Sequence, residues 1–143
     1  MSTLKKIVGI TATVGLIDSI YLVFVKYAHN EALCIPGVGD CWSVNNSPYS
    51  EIFGIPIAFI GALVYLVILL LVLNENKFDI LRKNGPYILF GITITGFIYS
   101  IYLTYLEIAV IKAICPFCVI SALAMTVLLV TSVIRLLSNP GVD

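Results

Sequence analysis

The chain has 143 residues, 60% of them hydrophobic and 11% charged, with a mean hydropathy of +1.07. Soluble domains carry roughly 25% charged residues, and a domain this small leaves much of its surface in water. The composition excludes a soluble globular domain, a secreted disulfide scaffold and a disordered chain. Eight basic and eight acidic residues balance, so no basic face exists for a nucleic acid. What remains is an integral membrane protein, in contact with lipid.

A helix crossing the hydrocarbon core takes about 20 mostly apolar residues. Four such spans are predicted in chain order: Ile7–Val25, Ile52–Leu73, Tyr87–Ile108 and Ala113–Leu136. The first begins behind Lys5 and Lys6 and stops at Lys26. It is too long for a signal-peptide core, and no small-residue cleavage site follows it. Ahead of the second, Ser47-Pro48 reads as a helix start, with Ser47 as N-cap and Pro48 in the first turn. The polar run Asn74–Arg82 and the breakers Gly85-Pro86 separate the second span from the third. Lys112 precedes the fourth, and Arg135 closes it. The fold class is an all-α four-transmembrane-helix bundle, a single domain over residues 1–143, with one sizeable loop at Lys26–Glu51.

Basic residues set the orientation. Lys5, Lys6, Lys77, Arg82, Lys83 and Arg135 fall on one face, Lys26 and Lys112 on the other. Both termini are therefore expected in the cytoplasm, and the loops around residues 26–51 and 108–114 outside.

All four cysteines fall on that external side. Cys34 and Cys41 bracket a Gly/Pro-rich segment of the first loop, and Cys115-Pro116-Phe117-Cys118 opens the fourth span. An even count on an oxidising face favours disulfide chemistry. Residues i and i+3 of a helix are neighbours, so the C-x-x-C sulfurs share one face. Unpaired amides and the helix dipole at that position favour a thiolate, and Pro116 suits a first turn. A rigid pair at the membrane surface and a loop pair above it can pass electrons by thiol–disulfide exchange. Two other readings stand beside this one: an accessory protein whose disulfides staple its loops, and a metal-handling protein using four thiolates.

Three further features stand out. Glu107, near the external end of the third span, is either an interfacial carboxylate or a proton-handling group. Asp18, in mid-span, marks a site or a pair, because a lone carboxylate there is costly. Tyr99, Tyr102 and Tyr105 form a stripe at helical spacing that reads as packing or interface. His29 and Trp42 are loop residues.

The string from Asp40-Cys41-Trp42-Ser43 to Phe53-Gly54-Ile55-Pro56, with Glu107 through Cys118, resembles the vitamin K epoxide reductase family. Gly15-Leu16 and Tyr21-Leu22 echo it in the first span. The resemblance covers nearly the whole chain, and cysteine order makes it specific: DsbB-type oxidases carry their C-x-x-C in the first external loop. It implies a short bacterial or archaeal member without a fused thioredoxin-like domain, served by a separate thioredoxin-like partner. It further implies that Cys118 faces a membrane quinone, of the menaquinone or ubiquinone class, with Cys115 opening to the loop. Cys41 would link transiently to Cys115, and Cys34 would exchange with the partner. Ser47 would lie beside the active site, and Phe53, Ser50 and Glu107 would serve the quinone. Ser50 stands where the animal enzymes carry an asparagine, and Ala122 where they carry a tyrosine. These two departures favour simple quinone reduction over vitamin K epoxide as the reaction.

Overall fold

A computed structural model describes residues 2–28, 48, 51–112 and 115–138. Within them run α1 (Ser2–Ala28), α2 (Ile57–Asn74), α3 (Asp79–Tyr105) and α4 (Pro116–Ser138). A short hairpin, β1 (Glu51–Ile52) with β2 (Ile55–Pro56), precedes α2, and α3 continues into a π-helical segment, Leu106–Ile111. All four helices are long and apolar enough to cross a membrane. Ile10, Ile17, Phe24, Leu63, Leu70, Ile98 and Val130 all point away from the bundle. Exposed to water, each would forfeit about 25 cal/mol per Å² of apolar surface; facing lipid, none does. The four-helix membrane bundle expected from hydropathy is the observed fold.

α1 packs along both α2 and α4, and α3 packs mainly on α4. The central core takes Val8 and Ala12 from α1, Tyr65, Ile68, Leu71 and Val72 from α2, Leu89 from α3, and Ala124, Met125 and Leu128 from α4. Gly15 permits one close approach: a methyl there would overlap the Tyr65 ring. A smaller core of Leu22, Val25 and Cys115 lies toward the other end, where the Tyr21 and Phe117 rings meet with centroids 4.9 Å apart.

Three boundaries differ from the sequence reading. Ile52 belongs to the hairpin, whose turn residues Phe53 and Gly54 both take positive φ (52° and 80°), as the mirror-image hairpin turns require. Pro48 has a single-residue 3-10 conformation, and the spanning helix starts only at Ile57, behind Pro56. At the other end of the molecule, α3 begins at Asp79 and runs straight through Gly85 and Pro86. Proline deprives the carbonyl four residues earlier of its partner. Here that carbonyl belongs to Arg82, in the exposed polar stretch with Lys83, where the unpaired group is tolerable.

Candidate active site

Cys115 and Cys118 are free thiols at the head of α4. Cys115 is fully buried (0% exposed), and its carbonyl accepts the helix's opening hydrogen bond from the Val119 N–H at 3.1 Å. Cys118 follows one turn later, about 4.5 Å further along the helix axis. The Cys118 thiol donates to the Cys115 sulfur, which the Cys118 and Phe117 N–H groups also approach. Together these donors outweigh burial and hold the Cys115 thiol below its ordinary pKa. A hydrogen bond to sulfur, added to the free amides of a helix start, makes Cys115 the more acidic thiol of the pair.

Glu107 joins the two cysteines. Its carboxyl is buried, Oε2 accepts from the Cys115 N–H at 3.4 Å, and the same carboxyl reaches the Cys118 thiol. Leu106 and Glu107 are the buried residues of the π-helical segment that ends the third span. Lys112, at φ 58°, then reverses the chain toward Cys115. Glu107 is thus a buried group in contact with both cysteines.

Beneath the pair lies a partly open cavity of about 170 Å³, mostly apolar and lined by residues from all four helices. Cys118 and Glu107 line its upper part, with Leu103 and Ile111. Ser121 and Ala122, the next turn of α4, line it further down together with Tyr65. The Tyr65 hydroxyl donates to the Ser121 carbonyl at 2.8 Å and lies 2.9 Å from the Ser121 hydroxyl. Neither Tyr65 nor Ser121 was singled out from sequence. The only signals there are a tyrosine that is the one hydroxyl-bearing residue of its span and a serine three residues after Cys118.

Phe53 is fully exposed (100%) at the tip of the hairpin and does not line the cavity. Cys34, Cys41, Ser47 and Ser50 lie outside the described residues, as do His29 and Trp42. Asp18 is buried on the α1 face that also carries Gly15 and Ser19, with Oδ2 lacking a hydrogen-bond partner among the described residues. Ser19, its neighbour, reaches the cavity wall; Asp18 does not line it.

Residues 6–133 match the model of the Vitamin K epoxide reductase family. The chain belongs to that family. The match covers most of the four-helix bundle, including the C-P-F-C and the cavity below it. Among curated proteins, the chain is similar to the thiol-disulfide oxidoreductase LTO1 of Arabidopsis thaliana, with 36% identity over 112 residues. That stretch is 75% of this chain but 30% of the relative, so the chain spans under a third of LTO1's length. Family and relative together support a redox function for the paired thiols.

Proposed function

We propose that this protein is a membrane thiol–disulfide oxidoreductase that oxidises a thioredoxin-like partner and reduces a quinone. Electrons would enter at Cys34 and Cys41, pass to Cys115 and Cys118, and leave to a quinone of the menaquinone or ubiquinone class. The observation that carries this reading is the C-x-x-C pair with Cys118 in the wall of a mostly apolar, partly open cavity between membrane helices. A lipid-soluble acceptor reaches such a cavity from the bilayer, whereas a soluble protein cannot.

The two sulfurs would divide the work. Cys118 faces the acceptor. Cys115, the more acidic sulfur, would bond to the Cys118 sulfur as two electrons and two protons pass from the pair to the quinone, giving a disulfide and a quinol. Reduction of a quinone to a quinol also consumes two protons. Glu107, in contact with the Cys118 thiol, is the carboxyl placed to relay one of them. Reduction of the new Cys115–Cys118 disulfide by Cys41, itself renewed through Cys34, completes the cycle. Both termini would face the cytoplasm and the cysteines the outside, by the distribution of basic residues.

The direct test is a quinone-reduction assay on purified protein with a small dithiol as donor. Wild type is expected to turn over, and Cys118→Ala to lose turnover even though no protein partner is needed. Turnover by Cys118→Ala near the wild-type rate would remove Cys118 from the electron path.

A further inference from the structure

The cavity has a polar floor as well as a reactive wall. Tyr65, on α2, is 1% exposed, and its hydroxyl meets α4 at Ser121, one helical turn below Cys118. The Ser121 carbonyl can only accept, so the phenol donates its one proton there, and the Ser121 hydroxyl in turn donates to the phenol oxygen. That carbonyl also has the ordinary α-helical partner four residues on, inside α4. Its bond from Tyr65 is therefore a second one, and the phenol proton can be redirected without leaving the carbonyl unpaired.

The ring itself has no freedom to leave. Gly15 of α1 lies directly against it, so the phenol is clamped between two helices and anchored to a third. Two other hydroxyls on the lining are less suited. Thr104 is committed to the Ser100 carbonyl at 2.8 Å on an exposed turn, and Tyr99 stands against Tyr102 with ring centroids 6.0 Å apart. Ala122, beside Ser121, contributes only a methyl and leaves room in front of the phenol. A para-quinone carries carbonyls on opposite edges of one ring. With one edge toward Cys118 and Glu107, the opposite carbonyl points down the cavity toward Tyr65.

We propose that the Tyr65 hydroxyl, held by Ser121, donates a hydrogen bond to the quinone carbonyl that lies farther from Cys118. Tyr65 is then a binding and orienting residue, and it selects acceptors with two opposed carbonyls over those with one. This rests on the quinone reading above. In a site with little water, a ligand that cannot use the phenol, or a phenol that is missing, costs roughly tenfold in affinity.

Two probes test it on the intact protein in detergent: menadione, with two opposed carbonyls, and tetralone, a fused-ring ketone with one. Binding is followed by quenching of intrinsic fluorescence, and reduction of menadione by absorbance with a dithiol donor. Wild type is expected to bind menadione about tenfold more tightly than tetralone. In Tyr65→Phe that preference is expected to fall to near unity and the menadione KM to rise about tenfold, while the KM for the dithiol stays put. An unchanged menadione affinity in Tyr65→Phe overturns the proposal. So does an equal loss of both probes, which marks a purely structural role. Should Tyr65→Phe fail to fold, the wild-type protein alone decides: equal affinity for menadione and tetralone overturns the proposal. Wild-type protein that neither binds nor reduces menadione overturns the quinone reading itself, a result that no Tyr65 variant is needed to recognise.

Discussion

A thiolate at the head of a helix is stabilised by groups that any helix offers and by groups that only this one does. The free amides of the first turn are general; the Cys118 thiol is particular, and the Glu107 carboxyl beside it works against the thiolate. The first two were legible in the string Cys-Pro-Phe-Cys, because i,i+3 spacing and a proline in the first turn fix the local geometry. The contact with Glu107 was not, since it depends on how the π-helical end of the third span packs against the head of α4. The donors to Cys115 make a prediction with a definite sign. A hydrogen bond to a thiolate lowers its pKa, so removing the donor raises it. In Cys118→Ala the pH at which Cys115 gains thiolate ultraviolet absorbance should shift upward from that of Cys115 in Cys118→Ser, whose hydroxyl still donates. Equal midpoints in the two variants would show that the helix amides alone hold the thiolate.

Helix by helix, packing depends on where one backbone lets another side chain through. Gly15 is such a place, because the Tyr65 ring fills the space a side chain would need, and that ring is fixed by its bonds to Ser121. Gly96 is similar in outline but faces Met125, whose thioether can swing aside. Gly15→Ala should therefore cost about 1–3 kcal/mol, whereas Gly96→Ala should stay within about 1 kcal/mol, its strain offset by better helix propensity. Thermal melting of the two variants in the same detergent checks the order, and a Gly15→Ala protein as stable as Gly96→Ala would refute it. The existence of the spans was plain in the sequence because hydropathy accumulates over many residues. Their ends were less so. Pro86 reads as a stop, yet the helix had already formed from Asp79, and the cost of the lost hydrogen bond falls at a polar end where it can be met.

Across the whole molecule, the distribution of charge does two jobs, and only one of them shows in a linear reading. Counting basic residues gives an orientation, since the positive excess gathers at one end of the bundle. It does not reveal that one of those residues is an interior group. Arg135 is 0% exposed, and its Nη2 donates to Glu75 Oε1 at 2.5 Å, while Lys5 lies 3.9 Å from Glu75 Oε2 and donates to Asn76 at 2.9 Å. The ion pair joins residues 60 apart, and only the packing of α1, α2 and α4 decides which helix ends meet. Glu75 caps the C-terminal end of α2, where the helix dipole disfavours an acid; the two cations reverse that balance. Arg135 Nε and Nη1 have no other hydrogen-bond partner among the described residues, so its charge depends on Glu75. Breaking a buried pair by removing one member typically costs about 3–5 kcal/mol, because the other charge is left desolvated and alone. Glu75→Ala should lose stability on that scale, far more than Asp79→Ala, whose pairing with Arg82 at 3.1 Å is exposed. Replacing both partners by apolar residues, Glu75→Met with Arg135→Leu, should restore most of the loss, since no buried charge then remains. Melting temperatures of the three variants decide the matter: if the double variant is no more stable than Glu75→Ala, the pair contributes through its shape rather than through compensation of a buried charge.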